Sequence, residues 1–270
     1  MVFPLFDDNS DRRRFPWVNY TFIAVNIFVF IVLQEAGADR NKFTYAWSTV
    51  PAEIVTGNDI DETGQQPRTI EHPVTKERIE IPPLQPTPIS VYLTLLTSMF
   101  MHGSWMHLGG NMLFLWIFGD NVEDFLGHLR YIAFYVICGI LASLSHVGVS
   151  YFLQRDLAVP SLGASGAISG VLGGYLLLFP HRQVTVILFR FLTQVPAYVA
   201  IGIWFLFQII NSLGMFGGSG GGGVAYGAHI GGFIAGLGLV KVFAIGEHEP
   251  GWYRKLDQQS KRSGVRQPPW

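Results

Sequence analysis

The chain runs as a succession of apolar stretches, several of them about 20 residues long, separated by polar or glycine-rich breaks. A helix needs about 20 apolar residues to cross the hydrocarbon of a bilayer. The pattern therefore points to an all-α fold, a polytopic membrane bundle. Composition agrees, with 49% of the 270 residues apolar and only 14% charged. Soluble domains carry about a quarter charged residues. The formal net charge of −1 comes without a basic face interleaved with aromatics, which argues against a nucleic-acid partner. A lone cysteine, Cys138, lies in an apolar run and excludes an internal disulfide framework.

Six spans can be laid out, close to 17–36, 105–123, 129–152, 165–179, 197–213 and 225–244. Arg12, Arg13 and Arg14 precede the first and place the N-terminus in the cytoplasm. Ala36-Gly37-Ala38 resembles a signal-peptide cleavage site, but the apolar run before it exceeds the usual 7–15 residues. Residues 37–89 are polar and rich in proline, and read as a long external loop. Residues 90–101 read as an interfacial helix belonging to that loop, with Gly103-Ser104 as the break before span two. The fourth span is short, so the loop 154–162 before it must dip below the surface. Irregular backbone at that depth survives only where protein buries it or where it lines a wet cavity. Residues 184–194 read as an interfacial connection on the cytoplasmic side, and 214–223 as a flexible glycine-rich loop carrying Met215 and Phe216, suited to capping a cavity.

The membrane unit is then 17–245, with cytoplasmic segments 1–16 and 246–270 on either side. Arg130, Arg182, Arg190, Lys241, Arg254, Lys255, Lys261 and Arg262 all fall inside under this topology, as the positive-inside rule requires.

Polar residues at membrane depth are costly and point to function. Ser165 stands at the outer start of span four. His229 is about one turn into span six. His107 and Asn111 are four apart and share one face of span two. Three helices thus bring polar groups to the same outer third of the membrane. A serine with free N–H groups at a helix N-terminus, beside a histidine on another helix, suits nucleophilic acyl transfer.

The four-spaced rows Gly166, Gly170, Gly174 and Ala228, Gly232, Gly236 would let spans four and six pack closely, bringing Ser165 to His229. His102 reads as an interfacial loop residue, and Ser145 and His146 as packing. A catalytic zinc wants three ligands, commonly with histidines at i, i+4 and a carboxylate. His102 and His107 are five apart, and Asp120, Glu123 and Asp124 lie at the far end of span two. The same placing denies the histidine a carboxylate partner, leaving a Ser–His dyad that needs no cofactor.

These residues resemble the rhomboid family of intramembrane serine proteases. Gly163-Ala164-Ser165-Gly166 matches that family's G-x-S-G, and His107-Leu108-Gly109-Gly110-Asn111 its H-x-x-x-N. Ala228-His229-Ile230-Gly231-Gly232 with Gly236 matches A-H-x-x-G-x-x-x-G, and His102 matches a frequent further histidine. All occur in the family's order across about 100–245.

The resemblance implies Ser165 as nucleophile, His229 as general base, and His107 and Asn111 as oxyanion donors. It implies transmembrane proteins as substrates, cut near the outer end of their own helix. The expected setting is a lipid bilayer of bacterial plasma-membrane type, with both termini cytoplasmic and the site opening outward. Two features depart from the family: Ser169 replaces an aromatic one turn after the serine, and no Trp-Arg pair stands in the first loop. The rival readings are a catalytically silent relative that binds membrane clients, and a small transporter. The first usually lacks the serine or histidine present here; the second calls for buried charges and broken paired helices.

Overall fold

The computed structural model describes residues 2–37, 40–66, 68–71, 78–81, 83–188, 191–216 and 226–246. It is mostly helical rather than all-α. Strand β1 (Val2–Asp7) comes first, then helix α1 (Trp17–Glu35), whose last turns widen to a π-helix. The 37–89 segment is more structured than its composition suggests. It holds α2 (Arg40–Ala46), α3 (Pro51–Thr56) and a hairpin of β2 (Arg68–Glu71) with β3 (Arg78–Ile81).

Helix α4 (Val91–Phe100) and α5 (105–126) follow, the second passing through a π turn at Leu115–Gly119. Then come α6 (His128–Leu153) and α7 (Ser165–Leu178). A hairpin of β4 (Gln183–Leu188) and β5 (Phe191–Pro196) leads to α8 (Ala197–Phe216) and α9 (Tyr226–Phe243).

Three of these helices, α1, α6 and α9, are long and apolar enough to cross a membrane; α4, α7 and the 197–210 part of α8 are shorter apolar helices.

The connection expected near 184–194 is where the all-α expectation gives way. Its β-branched run pairs as a hairpin, and β1 adds to β4 antiparallel, giving a sheet of order β1-β4-β5. Val184 and Val186 are fully buried on the inner face. Pro4 of β1 borders a small cavity with Phe114, Leu172 and Trp204, so this sheet underpins α5, α7 and α8. Gly214 does not end the fifth helix, which runs on to Phe216. The rest of the expected 214–223 cap, and the tail from 247, lie outside the described residues.

At the arginine-rich end, acidic residues of α5 fix the chain's first turns. Arg12 pairs with Asp120 at 2.8 Å. The backbone N–H groups of Arg13 and Arg14 donate to Asp124. Buried Glu123 accepts from the N–H groups of Val18 and Asn19 at 3.0 and 2.7 Å, placing negative charge at the positive end of α1. At the start of the π turn, the Leu115 carbonyl accepts from Asn19 Nδ2 at 2.9 Å. Arg182 reaches back from the helix-to-strand turn to both oxygens of Asp11.

Helix α7 is the centre of the bundle. Every residue from Gly166 to Tyr175 is buried, as expected of a helix apolar all round. Its glycines admit the neighbours. A Cβ on Gly166 would meet Ala142 of α6 at 2.7 Å, and one on Gly170 would meet Cys138 at 2.5 Å. Across the other face, a Cβ on Gly232 would meet the Gly166 carbonyl oxygen at 2.1 Å, and one on Gly236 the Gly170 oxygen at 1.9 Å. The two small-residue rows therefore meet backbone to backbone. Ser145 and His146 pack against Gly231 and Gly227 of α9.

A half-buried carboxyl, Asp7, and a buried one, Glu53, both outside the long helices, give the fold a pH dependence. Desolvation pushes Asp7 up to about 7, with Asp120 adding to the rise and the Tyr175 hydroxyl and Arg182 opposing it. Desolvation likewise raises Glu53 of α3 to about 7, opposed by the N–H of Ile60 and assisted by Asp59. A carboxyl raised in the native state holds its proton more tightly when folded. Its contribution is complete below the ordinary values of 3.8 and 4.5 and is lost as pH rises through about 7. Thermal unfolding in detergent is expected to show a midpoint falling from pH 4 to pH 8. The double variant Asp7→Asn, Glu53→Gln should flatten that slope; an unchanged slope would assign it to other groups.

Candidate active site

Ser165 opens α7 directly after a loop held on two sides. Thr49 and Ser161 exchange backbone hydrogen bonds at 3.0 and 2.7 Å, and the Ala52 N–H donates to the Leu157 carbonyl at 2.8 Å. The Gly163 N–H donates to the Ser98 carbonyl at 2.9 Å. Segments α3 and α4, distant in sequence, thereby set the approach to the serine. Gly163 has φ +127, a conformation that residues with a Cβ avoid, and a Cβ there would strike the His107 ring at 2.8 Å.

Across the α7–α9 contact, His229 Nε2 lies 2.7 Å from Ser165 Oγ. The other ring nitrogen, Nδ1, lies 2.9 Å from Gln208 Oε1 on α8. Two rings lie near the imidazole, with Trp204 of α8 at 6.2 Å and Tyr226 at 6.3 Å between centroids. Ser169, standing where the family often has an aromatic, turns away: its hydroxyl donates to the Ser165 carbonyl at 2.6 Å. The aromatic surround of the histidine comes from α8 and α9 instead.

His107 and Asn111 approach from α5. Ser104 caps that helix, its hydroxyl oxygen accepting the His107 N–H at 3.1 Å. His107 Nδ1 accepts the Gly103 N–H at 3.4 Å, which leaves Nε2 to carry the ring hydrogen. That edge faces the Gly163–Ser165 turn: a Cβ on Gly163 would be 2.9 Å from His107 Nε2 and 3.6 Å from Ser165 Oγ. Asn111 Nδ2 donates to His102 Nε2 at 2.9 Å. His102 lies in the loop before α5, as its position suggested, but packed inside the protein. It is fully buried, its backbone is bracketed by Gln34 of α1, and its ring lies 5.1 Å from that of His107.

Ser165 and His229 are thus in direct contact, His107 faces the serine's turn, and Asn111 joins through His102. Gln208, Trp204 and Tyr226 are the neighbours that sequence reasoning missed. Gln208 carried a legible signal, as a lone amide in the apolar run 197–210.

Residues 90–245 match the family described as Rhomboid domain. The chain is 33% identical over 159 residues to "Rhomboid protein 1, mitochondrial" of Saccharomyces cerevisiae, covering 57% of this chain and 42% of that one. It is 28% identical over 238 residues to "Rhomboid protease GluP" of Bacillus subtilis, covering 86% and 37%. With "Presenilin-associated rhomboid-like protein, mitochondrial" of Homo sapiens it shares 34% over 94 residues, covering 34% and 24%. The chain spans less than half the length of each of these relatives. A match running over more than half of this chain, on top of helices fit to cross a bilayer, makes it a multi-pass membrane protein belonging to the rhomboid family.

Proposed function

We propose that the chain is an intramembrane serine endopeptidase working through a Ser165–His229 dyad. The observation that carries this reading is the 2.7 Å approach of His229 Nε2 to Ser165 Oγ, made at the head of the glycine-lined contact between α7 and α9. A silent client-binding protein has no use for that contact. The membrane unit in this reading is 17–245 with six spans, flanked by cytoplasmic segments 1–16 and 246–270. The site opens to the outer side of a bacterial plasma membrane. Substrates are other transmembrane proteins, cut near the outer end of a helix where weak helix formers let the backbone unwind.

The chemistry follows from the groups present. Ser165 Oγ attacks the scissile carbonyl carbon while its proton passes to His229 Nε2. The oxyanion receives hydrogen bonds from the Ser165 N–H, from His107 Nε2–H and from the second amide hydrogen of Asn111, the first being held by His102. The positive end of the α7 dipole adds to this stabilisation. His229 then gives its proton to the leaving nitrogen as the C–N bond breaks. Water attacks the acyl-enzyme, His229 takes its proton, and the serine is restored. No cofactor enters any step.

The direct test is labelling by a serine-reactive fluorophosphonate. Wild type should be labelled and Ser165→Ala should not; equal labelling of both would end the reading. Asn111→Ala and His107→Ala are each expected to lower turnover by roughly 10²-fold, the scale of losing one oxyanion donor. Ser165 should stay in place in both. Unchanged turnover in either variant assigns that residue to structure alone.

A further inference from the structure

Gln208 is a buried polar residue beside the dyad that this mechanism leaves unused. Its side chain is on α8, only 7% exposed, with Oε1 at 2.9 Å from His229 Nδ1. An amide buried among apolar groups is costly unless bonded, so its direction is informative. A carbonyl oxygen can only accept, so Nδ1 must carry the ring hydrogen. That fixes the neutral tautomer in which Nε2 holds a lone pair, and Nε2 is the atom facing Ser165 Oγ.

We infer that Gln208 is a positioning residue for His229, holding the tautomer and ring plane that let Nε2 take the serine's proton. The inference rests on the dyad reading above and assigns it a third member.

Three further observations support it. Trp204 lies one turn before Gln208 on the same helix face, and its ring flanks the same imidazole. Helix α8 therefore supplies both a hydrogen-bond partner for the histidine and a ring beside it. The position held elsewhere in the family by an aromatic is Ser169 here, bonded to the Ser165 carbonyl and giving the imidazole no hold. Finally, an amide suits this depth better than a carboxylate. It orients the ring without burying a net charge in a low-dielectric site, where an ion's desolvation is expensive.

The test uses the full chain in lipid nanodiscs, with fluorophosphonate as probe, so no natural substrate is needed. Attack by Ser165 Oγ on phosphorus expels fluoride, and the rate reads how well His229 activates the serine. Gln208→Met keeps volume and removes the acceptor. Its labelling rate should fall by about 10–100-fold, the scale on which loss of an outer partner is felt by a functional histidine at metal sites. Gln208→Glu restores an acceptor at the same reach and should recover most of the rate.

Nitrogen-15 spectra of histidine-labelled protein, with the His229 signal identified from a His229→Gln sample, supply a readout that packing alone would not move. Wild type and Gln208→Glu should show the hydrogen on Nδ1, and Gln208→Met a mixture of tautomers. A Gln208→Met protein that labels within twofold of wild type, or one that labels slowly with its tautomer unchanged, overturns the inference. Failure of the dyad itself looks different: Ser165→Ala would then label like wild type.

Discussion

Replacing Ser165 by alanine is expected to abolish cleavage of a transmembrane substrate, a loss on the order of 10⁶-fold, and His229→Ala should cost as much. The equality matters more than the size. Oγ and Nε2 lie 2.7 Å apart and share one proton, so either atom alone is nearly useless. Two residues acting as a unit lose their function together rather than additively. The double variant should therefore be no worse than either single one. Both side chains are small parts of a well-packed contact, so folding should survive, as judged by thermal unfolding in detergent. Residual activity within tenfold of wild type in either folded variant would mean that another group supplies the nucleophile or base.

The helices and the Ser165–His229 contact were legible because lipid makes unusual demands on sequence. Apolar length marks spans, and a serine or histidine at depth must have a reason. The starts of α5 at Trp105, α7 at Ser165 and α9 at Tyr226 fall within a residue of the sequence expectation, each marked by a polar cap, glycine or loop. The small sheet was not legible. Val184 and Val186 alternate with other residues as a strand would, but beside the neighbouring β5 their partner is Val2–Asp7, some 180 residues away. Pairing at that separation leaves no local trace.

The structure in 37–89 was hidden for a related reason. Thr49 is held by Ser161 and lies 2.9 Å from both the Thr94 carbonyl and the Ser98 hydroxyl; composition alone cannot report such long-range contacts. Gly214 reads as a helix stop, yet α8 continues through it, since a single glycine weakens a helix by only about 1 kcal/mol. Gln208 was visible but uninterpreted: an amide can orient a histidine as a carboxylate does.

Gly236→Ala is the smallest change expected to have a large effect. The added methyl would lie 1.9 Å from the Gly170 carbonyl oxygen, deep inside contact distance. The obstacle is backbone on a helix itself wedged between α6 and α9, so it cannot rotate away as a side chain would. Gly170 is already closed on its other side by Cys138. The helices must separate, and overpacking of this kind typically costs 1–3 kcal/mol, here about the upper end.

Separation also reaches the chemistry. Ser165 rides on α7 and His229 on α9, and a shift of about 1 Å can cost on the order of 10²-fold in rate. Gly232→Leu, against the Gly166 oxygen one turn nearer the dyad, should do at least as much. The control lies on the same helix: a Cβ on Gly238 meets nothing within 4 Å, so Gly238→Ala should leave both unfolding midpoint and turnover intact. If Gly236→Ala and Gly238→Ala behave alike in both measurements, the two glycine rows do not hold the dyad together. A loss confined to Gly236 and Gly232 would tie the catalytic distance to the backbone contact two turns beneath it.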